Sequence, residues 1–273
     1  MATTGATPDY TAIKAKQNAA WASGDYARIG VTIQITGENL AESMDLPAGA
    51  TVLDVAAGNG NATLPFARRW CRVTSTDYVE ALLARGRARA EVEGLEVEFR
   101  IADVERLPFA DASFDAVVST FGVMFAPHQT AAAHEMLRVC RAGGCIGMAN
   151  WTPEGFIGQV FKVLGRHVPP PHGVQSPALW GSRPWLREVF GAKAKNFAAE
   201  DRQFVFRYPS PGHFIEFFRR WYGPVHTAFL ALEPAQQDVL ATELGALINQ
   251  LNTAKDGTMR VPAGYLEVIV TKA

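Results

Sequence analysis

The chain has 273 residues, 48% of them apolar, and a net charge of −1, which is ample for one large domain with a sizeable core. Near-neutral charge gives no electrostatic case for nucleic acid or an anionic membrane as partner, and no apolar run reaches the ~18 residues needed to span a bilayer. The N-terminal segment MATTGATPDY lacks a charged-then-apolar leader pattern, and Cys71, Cys140 and Cys145 are scattered without C-x-x-C spacing, which argues against a disulfide framework or a zinc site. The expectation is a reduced, cytoplasmic protein without a metal.

Residues 1–8 are expected to be disordered. Residues 10–21 and 26–44 read as two helices joined by Ser23-Gly24-Asp25, with helical spacing through Ile29, Ile33 and Leu40. Helices placed before the first strand of a nucleotide-binding fold commonly pack over the ligand side. Segment 9–45 therefore reads as a lid, with Trp21 and Tyr26 as candidates to close on a ligand; the alternative is ordinary packing aromatics.

Residues 51–67, TVLDVAAGNGNATLPFA, carry the densest signal. Val52, Leu53 and Val55 are strand formers. Gly58, Asn59 and Gly60 make a turn, and helical spacing begins at Ala62. Residues without a Cβ take positive φ and let a flat ligand lie against the backbone. Asp54 sits inside the strand, where a buried carboxylate needs a partner: a ligand ammonium, or a polar loop that needs tying. Two cofactor classes use such a turn. The dinucleotide fingerprint requires G-x-G-x-x-G and an acid about 20 residues on, but Gly58-Asn59-Gly60-Asn61-Ala62-Thr63 lacks the third glycine. S-adenosylmethionine (SAM), with its ammonium, sulfonium and ribose diol, suits Asp54 better.

Residues 71–77 read as a second strand ending in Asp77, whose carboxylate can accept two ribose hydroxyls or cap the next helix, residues 79–93. Gly94 ends that helix. A third strand, 95–101, leads to Asp103, which can accept an adenine amine or cap a turn. A fourth strand, 114–119, runs into the loop Thr120-Phe121-Gly122-Val123-Met124-Phe125-Ala126-Pro127. This apolar loop is expected to line the cofactor and acceptor crevice. A helix (129–140), a terminating turn (141–144) and a fifth strand (145–151) follow. Strands alternating with helices predict a parallel sheet covered on both faces.

The remainder differs in character. Helices are predicted at 155–166, 184–190, 213–222, 224–232 and 234–251, with a proline-rich loop at 168–177. Late strands at 197–208 and 265–270 read as an antiparallel pair at the sheet edge. Trp151, Trp180, Trp185, Trp221 and Tyr222 give this half an aromatic character. It suits a cover over a flat or apolar acceptor, or the cover's own small core.

Together, VLDVAAGNGN (52–61), STD (75–77), ADVERLPFADASFD (102–115) and LRVCRAGG (137–144) resemble the class I SAM-dependent methyltransferases, and most of all the ubiquinone/menaquinone C-methyltransferase subset. The resemblance covers roughly residues 50–151 and implies an α/β, doubly wound, mostly parallel seven-stranded Rossmann-like sheet in a single domain. That domain comprises a lid (9–45), a SAM-binding core (50–151) and a substrate cover (152–273) with inserted helices at 211–252. It places Asp54, Ala56, Gly58, Asn59 and Gly60 near the methionine moiety, Asp77 and Tyr78 at the ribose, and Asp103, with Ala102 and Val104, at the adenine. Ser119, Thr120 and Phe121 complete the cofactor set. Trp21, Tyr26, Met124, Trp151, Trp180 and Tyr222 are the acceptor candidates. Ala56 stands where the family usually has its first glycine, and Ala142 where it has proline; an alanine is tolerated at negative φ.

The expected activity is in-line methyl transfer to oxygen, nitrogen or carbon of a small aromatic or apolar acceptor. Alignment in a dry site supplies much of the rate, and a base is needed only if the acceptor must lose a proton. His128, at a loop–helix junction near the crevice, is the first candidate base. A catalytically silent SAM-binding scaffold is the alternative. A nicotinamide oxidoreductase is disfavoured by the missing glycine. Nucleic-acid methylation is disfavoured by STFGV after the fourth strand, which is not the Asn/Asp-Pro-Pro-aromatic motif that holds a flipped base.

Overall fold

In a computed structural model, residues 8–273 are described. The expectation of disorder for residues 1–7 lies outside them. Pro8, included in that expectation, instead packs beside Gly173, and its carbonyl accepts the Tyr10 N–H.

Three helices precede the sheet: α1 (Tyr10–Ser23), α2 (Tyr26–Gly30) and α3 (Ile35–Met44). The single helix expected over 26–44 is broken by a 3₁₀ turn at Val31–Ile33. β1 (Thr51–Val55), α4 (Thr63–Arg68), β2 (Arg72–Asp77), α5 (Glu80–Val92), β3 (Val97–Ile101), β4 (Phe114–Thr120), α6 (Gln129–Val139) and β5 (Cys140–Trp151) follow. Residues 141–144 do not end α6 as a separate turn. They form an irregularity inside β5, where pairing jumps from Phe114–Cys140 to Ala116–Cys145. The cover holds α7 (Phe156–His167), α8 (Arg183–Phe190), β6 (Ala194–Tyr208), α9 (Pro211–Trp221), α10 (Gly223–Leu230), α11 (Pro234–Leu251) and β7 (Met259–Lys272).

The sheet has seven strands in the order β3-β2-β1-β4-β5-β7-β6. The first five are parallel, and β7 runs antiparallel between β5 and β6. Both late strands are longer than their apolar cores predict, because the β6–β7 pairing continues from Ala194–Lys272 to Tyr208–Met259. Alternation along each strand divides the core. Leu53, Val55, Val117, Ile146 and Met148 face α6, α7 and the cover, while Val52, Ala116, Val118 and Val73 face Leu40 and Met44 of α3 and Phe66 of α4. Sequence order reverses between β1 and β4, so the ends of these strands open the crevice in which α/β sheets bind ligands.

Candidate functional site

Alternate residues of the glycine turn after β1 take positive φ. Gly58 (φ 57°) and Gly60 (φ 86°) use the freedom their sequence offers. Ala56 does too, at φ 49°, so the expectation that it sits at negative φ is corrected. Its backbone adopts the left-handed geometry in which glycine is at ease and alanine is not. The Ala57 N–H donates to the Thr76 carbonyl and the Gly60 N–H to the Ala57 carbonyl, which fastens the turn to β2.

Asp77 ends β2 beside this turn. Its Oδ2 accepts the Gly58 N–H and its Oδ1 the Val79 N–H, both at 2.9 Å. Each oxygen retains a lone pair. Burial pushes the carboxyl up to about 6, against the pull of those N–H donors.

Asp54 has a different place. The strand's alternation sends its side chain to the α4 face, where the Thr63 hydroxyl donates to it at 2.6 Å and lies 2.8 Å from the Ser75 hydroxyl. Asp54 is not in the cleft wall, and the hydroxyls beside it come from the first residue of α4 and from β2. Its other oxygen, Oδ1, is buried without a partner among the described residues, and burial raises the carboxyl to about 7.

A cleft enclosing about 960 Å³ of atom-free space, its mouth included, runs along the carboxyl ends of the strands. Of the cofactor candidates it is lined by Ala56, Gly58, Asn59, Asp77, Tyr78, Asp103, Val104, Thr120 and Phe121. Gly60, Ala102 and Ser119 shape it from behind; the Ser119 hydroxyl donates to the Val55 carbonyl and accepts the Val123 N–H. Of the acceptor candidates, Trp21, Tyr26, Trp151 and Tyr222 line it. Two do not. Met124 is buried beneath the floor, its Sδ accepting the Trp151 N–H at 3.3 Å. Trp180 is buried against Trp185 and Phe190 as part of the cover's own core.

His128 is also outside the cleft. Its Nδ1 accepts the Ala131 N–H at 3.3 Å as the N-cap of α6, and Tyr10 stacks on its ring at 4.7 Å. The expected base is a helix cap.

The structure adds Lys14, Phe206 and Phe218 to the site, and Phe125 comes from the loop expected to line the crevice. Lys14 of α1 reaches Asp103 Oδ2 at 2.6 Å and Glu105 Oε2 at 2.9 Å, while Asp103 Oδ1 accepts the Glu105 N–H. Asn18 donates to the Tyr78 carbonyl. Helix α1 is thus tied to the ends of β2 and β3. Phe206 and Phe218 enter from the cover, and Phe125 from the loop after β4. The apolar character of that loop was the one legible signal among these; Lys14, Phe206 and Phe218 lie far along the chain from any motif.

The wall is divided. Asp77, Asp103, Glu105 and Lys14 gather at the β2–β3 side, Phe121 and Trp151 stack at the β4–β5 side, and Tyr26 reaches back beside Gly58. Trp21 meets Tyr26, Phe125 and Tyr222 edge-on at 5.5, 4.9 and 5.7 Å. Burial and the Asp77 charge raise the Tyr26 phenol, and burial raises that of Tyr222. The wall also fits a polar, hydroxyl-bearing cofactor. The Asn59 amide and the Tyr78 hydroxyl are buried without partners among the described residues, and the Asp77 oxygens have acceptor capacity left.

Residues 52–144 match the family model described as "Methyltransferase domain". Rv1403c of Mycobacterium tuberculosis is 38% identical over 222 residues, 80% of this chain and 81% of that protein. A demethylmenaquinone methyltransferase of Deinococcus radiodurans is 33% identical over 141 residues, 50% of this chain and 58% of that protein. The structure of Haemonchus contortus phosphoethanolamine N-methyltransferase 2, in complex with phosphomonomethylethanolamine and S-adenosylhomocysteine, superimposes with a TM-score of 0.56 at 15% identity, over 87% of this chain and 52% of that one. With its motifs, its strand order and the matched methyltransferase domain, the chain belongs to the class I SAM-dependent methyltransferases, and SAM is its cofactor.

Proposed function

We propose that this enzyme methylates oxygen, nitrogen or carbon of a small, flat, largely apolar acceptor held in the aromatic half of the cleft. The observation that carries this reading is the division of the wall. Strands in a sheet lie about 4.8 Å apart, and three such steps separate β2, which ends in Asp77, from β5, which ends in Trp151. Asp77 is thereby roughly 14 Å from Trp151, while the Tyr26 ring lies nearer, beside Gly58 and the Asp77 charge.

In this reading Asp77 accepts the ribose hydroxyls, Asp103 the adenine amine, and the Asn59 amide and Tyr78 hydroxyl find in the cofactor the partners the protein does not give them. SAM, when bound, supplies a methyl group on a sulfonium. The rings of Tyr26 and Trp21 offer a cation a favourable face. Residues 9–45 act as lid, 50–151 as cofactor core and 152–273 as acceptor cover.

The chain's part in the chemistry is orientation and exclusion of water. Among the described residues, the β4–β5 half of the wall presents no His, Asp, Glu or Lys side chain. Its phenols, held above their ordinary range, donate hydrogen bonds and do not act as bases. The acceptor's proton, where it has one, leaves to solvent.

The test is incubation with SAM and matched panels of flat aromatic acceptors and small polar amines, with mass-spectrometric detection of the methylated product. Turnover confined to the aromatic panel is expected; turnover confined to the polar amines would overturn the reading.

A further inference from the structure

Two non-glycine residues in the left-handed region flank the switch point between β1 and β4: Ala56 (φ 49°) and Phe121 (φ 61°). Phe121 is buried. The Gly122 N–H donates to the Thr120 carbonyl at 2.8 Å, an i→i+2 bond that makes Phe121 the centre of a γ-turn of the rare, strained, positive-φ kind. Such a turn persists only where its surroundings over-determine it, and here three contacts do so. The Phe121 N–H donates to the Ala149 carbonyl at 2.8 Å. The Phe121 ring lies flat on Trp151, with centroids 4.0 Å apart and planes 6° from parallel. Gly122 abuts the Ala56 carbonyl so closely that any Cβ there would collide with it. The cofactor turn and the floor of the aromatic half are therefore one interlocked piece.

We propose that Trp151 is a positioning residue for the acceptor: it stacks on Phe121, holds the strained turn in register with the Ala56 turn, and so fixes the floor on which a flat acceptor lies. The inference rests on the reading of the aromatic half as the acceptor site. Trp151 lies three strands from Asp77 and reaches the Ala56 turn only through Phe121 and Gly122, so its loss falls mainly on the acceptor. An apolar side chain without a ring removes the stacking partner and frees the Phe121 turn to relax. A phenyl ring at position 151 keeps a stacking partner and preserves it.

The experiment compares wild type, Trp151→Leu and Trp151→Phe by three measurements. These are calorimetric binding of S-adenosylhomocysteine, calorimetric binding of 2-naphthol to the S-adenosylhomocysteine complex, and amide hydrogen exchange over residues 119–124. For Trp151→Leu we expect faster exchange at Phe121 and Gly122, 2-naphthol binding weakened at least tenfold, and S-adenosylhomocysteine binding within twofold of wild type; Trp151→Phe recovers most of the loss. Equal weakening of both ligands, or unchanged exchange at Phe121 in Trp151→Leu, overturns the proposal. So does a wild type that binds S-adenosylhomocysteine but not 2-naphthol. A wild type that binds neither ligand sinks the cofactor reading instead, while the exchange comparison still decides whether Trp151 holds the turn. If Trp151→Leu does not fold, Trp151→Phe decides: 2-naphthol binding and Phe121 exchange near wild type sustain the proposal, and S-adenosylhomocysteine binding weakened more than twofold and as much as 2-naphthol binding overturns it.

Discussion

The Asp77 carboxylate accepts the backbone N–H of Gly58 at 2.9 Å, so the acid at the end of one strand fixes the glycine turn at the end of its neighbour. The same group is the natural acceptor for ribose hydroxyls. Asp77→Asn keeps its size and loses its charge. Charge-assisted hydrogen bonds to a buried ligand are worth about 2 kcal/mol, so S-adenosylhomocysteine binding is expected to weaken about 30-fold, as measured by calorimetry. Unchanged affinity would remove Asp77 from the cofactor site.

Stability is expected to fall between pH 5 and pH 8. Asp54 and Asp77 are raised by burial to about 7 and about 6, from 3.8. A carboxyl raised in the folded state holds more protons there than in the unfolded chain across this window, so stability declines as pH rises through the folded values. Asp115, held at about 2, and Glu93 and Glu135, lowered by their arginine partners, act in the opposite sense at lower pH and leave this window alone. Asp54→Asn removes the larger contribution while keeping an acceptor for Thr63. Urea denaturation should show its advantage over wild type about 2 kcal/mol larger at pH 8 than at pH 5. A parallel pair of pH profiles would contradict the assignment.

Ala56→Gly is expected to stabilise the protein. A left-handed alanine costs about 1–2 kcal/mol, and glycine removes that cost while giving back about 0.5–1 kcal/mol through the greater freedom of the unfolded chain. The net gain of about 0.5–1 kcal/mol would appear as a shift in denaturation midpoint at constant slope. A destabilised variant would mean that the Ala56 methyl contributes more by packing than its backbone loses.

His128→Ala separates a helix cap from a base. Losing an N-cap costs about 1 kcal/mol, so the melting temperature should drop by a few degrees. The methyl-transfer rate with any accepted substrate should stay within about twofold, because a lost general base costs roughly a hundredfold or more. A loss of that size would restore His128 as base.

The sequence by itself determined the α/β alternation, the glycine turn and Asp77, because these follow from local periodicity and from backbone geometries few residues tolerate. Periodicity could not decide which face a side chain takes at the end of a strand. Asp54 read as a ligand group until its strand position put it under α4 with Thr63. His128 read as a base until the start of α6 claimed it. Trp180 and Trp151 look alike in the chain, but one fills the cover's core and the other stacks on Phe121 in the cleft. The tertiary structure alone joined Lys14 to Asp103 and brought Phe206 and Phe218 into the cleft wall. It also set Ala56 and Phe121 in strained backbone, because these depend on contacts between segments far apart in the chain, which no local pattern encodes.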